Sequence, residues 1–280
     1  MKYNKLSNGL KMPVLGLGTF LIEDGSSVYD TVLNALKIGY RHIDTAYMYR
    51  NEKGIGDAIR DSKIPREEIF ITTKLSTQAM GNKELLEQSF QESLDKLQTN
   101  YVDLLIIHWP SHNEKINAIT WEFLEEQYKN KKALAIGVSN FQRHHLEDLF
   151  KTAKIKPMIN QVELHPGLSQ VYLQKYLEKE NIAITSYGPL MKGMVFEAPY
   201  IETLTEIAAK YNASVAQIII AWGLKRNIFM IPKSVNEKRL LENFNAKDIK
   251  LENKDVERIN QLNKGKRVYT DPDNNPIAPY

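Results

Sequence analysis

The 280-residue chain contains no cysteine, which excludes disulfides, thiolate nucleophiles and every cysteine-based metal site. It also lacks an apolar run long enough to span a bilayer: the longest, Val215 to Leu224, is interrupted by Gln217. Residues 1–10 carry no apolar stretch of the kind that opens a secretory signal, so the expected location is cytoplasmic, with no membrane partner. A charge excess of one sign is missing as well. With 37 basic and 34 acidic residues the net charge is +3, too balanced to predict nucleic-acid binding, though compatible with a small anionic ligand. There is no linker, low-complexity tract or composition break. Residues 1–280 are therefore expected to form one domain, and the protein to act as a monomer.

What the sequence does contain is a recurring alternation of short apolar runs and longer segments with helical spacing. The runs at Val14–Gly18, Arg41–Asp44, Ile69–Lys74, Asp103–His108, Ala135–Ser139, Met158–Val162, Ala183–Ser186 and Phe229–Pro232 read as strands. Helices are predicted between and after them, for example Glu52–Arg60, Glu114–Asn130, Ile201–Tyr211 and Ser214–Lys225. One is capped by Asn82, and another is stopped by Gly39. Strands apolar on both faces, such as Leu104 to Ile107, belong to a parallel sheet covered by helices. Eight such units in a row predict an α/β chain folded as a (β/α)8 TIM barrel. An open doubly wound sheet would show a G-x-G-x-x-G turn, and Gly16-Leu-Gly18 lacks the third glycine. Asn8-Gly9 predicts an N-terminal β-hairpin cap over Tyr3–Met12, and the last helical patterns predict extra C-terminal helices.

A barrel gathers the C-terminal ends of its strands at one mouth, so the residues there are informative as a set. They are Asp44 and Tyr49 after the second strand, Lys74 at the end of the third, and His108 with Trp109 at the fourth. Reduction of a carbonyl needs a proton donor for the oxygen, and a phenol with a reference pKa of about 10 can be tuned for that work. An ammonium about 4 Å away is worth on the order of 4 kcal/mol at an effective dielectric of 20. Lys74 is thus expected to lower the Tyr49 pKa, Asp44 to hold Lys74 charged, and His108 to orient the carbonyl oxygen.

The motifs G-L-G-T-F at 16–20, D-T-A-Y-M-Y-R-N-E at 44–52, I-T-T-K at 71–74 and L-I-I-H-W-P at 105–110 occur in this order. They are followed by I-G-V-S-N-F at 136–141, N-Q-V-E-L-H-P at 160–166, S-Y-G-P-L at 186–190 and I-P-K-S with R-L-L-E-N at 231–243. In these motifs the chain resembles the aldo-keto reductase superfamily, in its compact bacterial branch of the 2,5-diketogluconate reductase type. The resemblance implies NADPH-dependent reduction of small aldehydes and ketones, with Asp44, Tyr49, Lys74 and His108 as catalytic tetrad and Tyr49 as proton donor. It further implies cofactor contacts from Gly18, Thr19, Ser139, Asn140, Gln161, Tyr187 and Leu190 around the nicotinamide half. Lys233, Ser234, Val235, Arg239, Glu242 and Asn243 would hold the adenosine 2′-phosphate half, and NADPH is favoured over NADH. Phe20, Tyr47, Met48, His108 and Trp109 would surround the substrate.

Three positions depart from the commonest family pattern: Arg50 and Gly188 stand where many relatives have glycine and serine, and Asn236 where many have threonine. Two other readings remain open. A lysine at a barrel strand end also suits a Schiff-base aldolase, and a non-enzymatic binding role is the third. No metal is expected: Pro110 separates His108 from His112, and His144-His145 reads as helix surface. The tail from Arg267 to Tyr280 is expected to fold over the mouth.

Overall fold

The computed structural model describes residues 1–275, so the tail is seen from Arg267 to Asn275 and the remainder of that expected segment lies outside the described residues. Two short strands, β1 (Tyr3–Lys5) and β2 (Lys11–Pro13), pair antiparallel about Asn8 and Gly9, as the hairpin signal predicts. The eight that follow are β3 (Leu17–Gly18), β4 (His42–Asp44), β5 (Phe70–Lys74), β6 (Leu104–Ile107), β7 (Ile136–Ser139), β8 (Ile159–Glu163), β9 (Ala183–Tyr187) and β10 (Phe229–Met230). All are parallel and lie side by side in chain order.

The helices are α1 (Ser26–Ile38), α2 (Glu52–Asp61), α3 (Lys83–Leu97), α4 (Glu114–Lys129), α5 (Arg143–Phe150), α6 (Val171–Lys179), α7 (Ile201–Lys210), α8 (Val215–Lys225), α9 (Glu237–Asn245) and α10 (Asn253–Asn260). Their ends follow local chemistry. Asn82 accepts from the N–H groups of Glu84 and Leu85 to start α3, and Gly39 closes α1 with φ 119°. Among the described residues two helices are extra to the alternation: α7, which precedes α8 between β9 and β10, and α10, which follows α9 after the last strand. Asp255 ties them together, accepting from Lys210 at 2.6 Å and Tyr211 at 2.7 Å.

The first and last barrel strands are shorter than predicted, two residues each where longer runs were expected, because they form the seam. There the ring closes through a Leu15–Met230 bridge and three amide bonds: Gly16 N–H to Met230 O at 2.9 Å, Met230 N–H to Val14 O at 3.0 Å, and Gly18 N–H to Pro232 O at 3.2 Å. Pro232 has no N–H to return, so the ladder thins toward the mouth. A Cβ on Gly18 would stand 2.7 Å from the Ile231 carbonyl oxygen, and only glycine permits this approach. Gly18→Ala is accordingly expected to destabilise the protein by about 1–3 kcal/mol, read as a lowered urea midpoint with an unchanged slope. A native midpoint would show that the seam gives way without cost.

Candidate active site

At the centre of the mouth Asp44, ending β4, meets Lys74, ending β5. Their side chains pair at 2.5 Å while the residues are only 2% and 1% exposed. Asp44 Oδ2 accepts from Gln161 Nε2 at 2.6 Å, and Lys74 Nζ also donates to the Thr45 carbonyl at 2.8 Å. Burial pushes the Asp44 carboxyl up and the Lys74 ammonium down, and their mutual attraction opposes both shifts. Residues 47–49 form a 3-10 turn that puts the Tyr49 ring against Lys74, Nζ 4.9 Å from the ring centroid. His108 meets Tyr49 edge to face at 5.5 Å, and Phe20 lies 5.0 Å away on a tilted plane.

The expected lowering of the Tyr49 pKa is not found. Burial, then the Asp44 carboxylate and Tyr269, hold the phenol well above its ordinary value. The Lys74 charge is spent on Asp44 and faces the tyrosine ring. Burial with the nearby ammonium also pushes His108 well below its usual range, so its ring is neutral at neutral pH. Its Nδ1 has no hydrogen-bond partner among the described residues.

Tyr49 and His108 open onto a cavity of about 670 Å³. Gly18, Thr19, Phe20, Met48, Trp109 and Leu190 line it, as do Ser139, Asn140, Gln161 and Tyr187. The last four are braced by one another: Ser139 Oγ donates to Gln161 O at 2.8 Å, Asn140 Nδ2 to Ser139 Oγ at 3.1 Å and to His108 O at 3.0 Å, and Tyr187 Oη to Asn140 Oδ1 at 2.7 Å. Gln161 keeps one amide proton and Asn140 Oδ1 one lone pair beyond these bonds, a donor and an acceptor suited to a carboxamide. Lys233 and Arg239 stand on the cavity wall by the seam. Ser234 is buried with its hydroxyl 3.2 Å from the Asn236 N–H, and neither it nor Val235, Glu242 and Asn243 lines the cavity.

Tyr47 lies elsewhere. Its hydroxyl donates to Glu92 on α3 at 2.9 Å and Lys96 sits 4.9 Å over its ring, so it is outside the cavity wall. Asn51, fully buried and absent from the sequence reading, ties two loops by accepting from Thr45 Oγ1 at 2.8 Å and donating to the carbonyls of Thr19 at 2.9 Å and Ile22 at 3.0 Å. Arg50 before it is left-handed, φ 56°, a conformation that explains the glycine common at this place in relatives. Tyr269 and Phe196 also line the cavity; neither was singled out in the sequence, though Tyr269 lies in the tail expected to fold over the mouth.

His145 is buried rather than on the surface, and with His144 and Asp273 it brings donor atoms within 4.8 Å. Its Nδ1 accepts the Gln142 N–H at 3.1 Å, so Nε2 carries the proton and faces Asp273 at 3.6 Å. These contacts pin the tail to α5 and leave that nitrogen without a lone pair for a metal.

A parallel (β/α)8 ring with a deep cavity of titratable groups at its strand ends is an enzyme barrel. The aldo/keto reductase family model matches residues 14–264. The chain is 46% identical over 269 residues to glyoxal reductase of Bacillus subtilis, covering 96% of this chain and 95% of that one. Among solved structures, MGS-M4, an aldo-keto reductase from a Medee basin deep-sea metagenome library, superposes with TM-score 0.93 at 43% identity, covering 97% and 98%. A mutant of Gox0644 in complex with NADPH superposes with TM-score 0.91 at 36% identity, covering 98% of each chain. The chain belongs to the aldo/keto reductase family and is an oxidoreductase. No helix among the described residues is long and apolar enough to cross a membrane.

The central ion pair makes a stability prediction. Asp44→Ala strands a buried ammonium and is expected to cost about 3–5 kcal/mol in urea unfolding. The double variant Asp44→Leu with Lys74→Met should lose less than Asp44→Ala alone; an equal or greater loss would mean that packing, not charge, sets the cost.

Proposed function

We propose that the protein is an NADPH-dependent reductase of small aldehydes and ketones, with Tyr49 as proton donor. The observation that carries this reading is the grouping of Tyr49, His108, Lys74 and Asp44 at the cavity wall or directly behind it. NADPH, when bound, supplies the hydride. The spare amide proton of Gln161 and acceptor of Asn140 suit a carboxamide, Tyr187 offers an aromatic wall, and Lys233 and Arg239 offer charge for a phosphate. The relative that acts on glyoxal and the neighbour solved with NADPH support the same substrate and cofactor classes.

The chain's own residues divide the work simply. Burial keeps the Tyr49 phenol protonated, so the acid is loaded at neutral pH. It passes its proton to the carbonyl oxygen as negative charge grows there. Lys74, on the face of the same ring, is the positive charge that meets the phenolate left behind, and Asp44, which holds Lys74 in place, offsets part of that charge. His108, neutral, can donate to the oxygen without competing as an acid. A Schiff-base role for Lys74 is disfavoured, because its nitrogen is bonded to Asp44 and Thr45 and it does not line the cavity.

Two measurements test this. Tyr49→Phe should cut NADPH-dependent reduction of glyoxal or methylglyoxal by about 10²- to 10⁴-fold while NADPH still binds; equal rates in both proteins would sink the proposal. The raised phenol also fixes the sign of the pH dependence. Reductive kcat/KM should hold level from about pH 7 to pH 9, since the acid form persists, whereas alcohol oxidation, which needs the phenolate, should climb throughout that range. A reductive rate falling in this window would show the phenol drawn down.

A further inference from the structure

Between α10 and residue 272 the chain has neither helix nor strand, so its main chain is held without a ladder of its own. The Gly167 carbonyl accepts the amides of Lys264 at 3.1 Å and Lys266 at 3.0 Å, and the amides of Val268 and Tyr269 go to a side chain, that of Glu163. We propose that Glu163 is a positioning residue for the cofactor: by gripping residues 268 and 269 it holds the Tyr269 ring against Tyr187, and so sets the plane that Tyr187 presents to the nicotinamide. The proposal rests on the cavity being the reductase site argued above.

Glu163 ends β8, is fully buried and takes no part in the proton transfer. Its Oε1 accepts the Val268 N–H at 2.6 Å, the Tyr269 N–H at 3.3 Å and His165 Nε2 at 3.0 Å. His165 Nδ1 accepts the Leu168 N–H at 3.1 Å, so Nε2 is the nitrogen that carries the proton. The other carboxylate oxygen has no hydrogen-bond partner among the described residues, and the Arg267 guanidinium lies 3.7 Å from it. A glutamine carbonyl could accept the same amides without burying a charge. What the carboxylate adds is strength, since hydrogen bonds to an ionised acceptor are roughly twice as strong as neutral ones.

That strength reaches Tyr187 by two routes. Glu163 and Tyr187 are register partners on β8 and β9, and the Leu164 N–H donates to the Tyr187 carbonyl at 3.3 Å, so one strand pair carries both residues. The second route sets the ring. The Tyr187 hydroxyl donates to Asn140 Oδ1 at 2.7 Å, but that bond lies on the axis about which the ring turns and leaves its plane unfixed. The edge-to-face contact with Tyr269, 5.2 Å between centroids and 84° between planes, supplies the missing restraint. Tyr269 has no room to retreat. Lys192 Nζ stands 4.4 Å over its centroid, and a Cβ on Gly188 would come within 2.9 Å of its Cζ and its hydroxyl. Stacking depends on the tilt of the platform, whereas charge offered by Lys233 and Arg239 to a phosphate does not.

The test measures dissociation constants for NADPH and for 2′,5′-ADP, which has no nicotinamide, in the full-length native protein, Glu163→Gln, Tyr269→Leu and the double variant. Glu163→Gln should weaken NADPH about three- to tenfold and leave 2′,5′-ADP within about twofold of native. Tyr269→Leu should do the same, and the double variant should lose no more than the larger single effect, because the carboxylate acts through the ring. A general loosening of the fold would weaken both ligands together. Equal loss for the two ligands, single effects that multiply in the double variant, or native NADPH affinity in Tyr269→Leu overturns the relay and leaves the reductase reading intact. Should Glu163→Gln fail to fold, Tyr269→Leu with the two ligands decides by itself. A native protein that binds neither ligand overturns the reductase reading, and the relay with it.

Discussion

Everything at the mouth of this barrel is arranged around one buried carboxylate. Asp44 accepts from Lys74 on the neighbouring strand and from Gln161 on β8, which stands opposite β4 in the ring. The pair is tied along one edge and across the diameter at once, and neither charge can turn away without leaving the other unpaired in a low-dielectric interior. That constraint decides where the Lys74 charge is aimed, and so which face of Tyr49 it meets. Thr19 adds to the same knot, its hydroxyl and amide both donating to the Asp44 carbonyl at 2.9 Å and 3.1 Å.

The balance of forces on Tyr49 differs from what proximity alone implies. An ammonium near a phenol lowers its pKa only while the charge is free to act on the oxygen and the phenolate is solvated. Here the ammonium is committed to a carboxylate at 2.5 Å, the carboxylate itself repels a phenolate, and burial removes water. The wild-type arrangement favours the neutral phenol. The proton is held more tightly there than on a phenol in water, and a phenolate at this place must work against its surroundings.

The strands and most helices were legible because their signals are local: apolar runs covered on both faces, Asn82 as a cap, Gly39 as a stop. The four polar residues at the mouth could be read as a set because barrel topology brings consecutive strand ends together, whatever the loops do. Tyr47 could not be separated from Tyr49 in this way. A 3-10 turn rotates successive side chains by about a third of a turn, and only the structure reveals that Glu92 and Lys96 on α3 receive Tyr47. The depth of burial that raises Tyr49, the short seam strands and the place of Tyr269 depend on contacts between residues far apart in the chain. Gly188 and Tyr269 are separated by α7, α8, β10, α9 and α10, and no periodicity connects them.

That separation has a consequence for the order in which the molecule can be made. β3, the first barrel strand, finds its second neighbour only in β10, and the buried Glu163 finds its amide donors only at residues 268 and 269. A chain emerging from the ribosome can stack its early strands and helices one after another. It cannot close the ring until β10 is free, nor finish the cavity wall until Tyr269 is. A product truncated before Arg267 keeps the tyrosine, lysine, aspartate and histidine, yet leaves the buried Glu163 with His165 alone and the pocket open on one side.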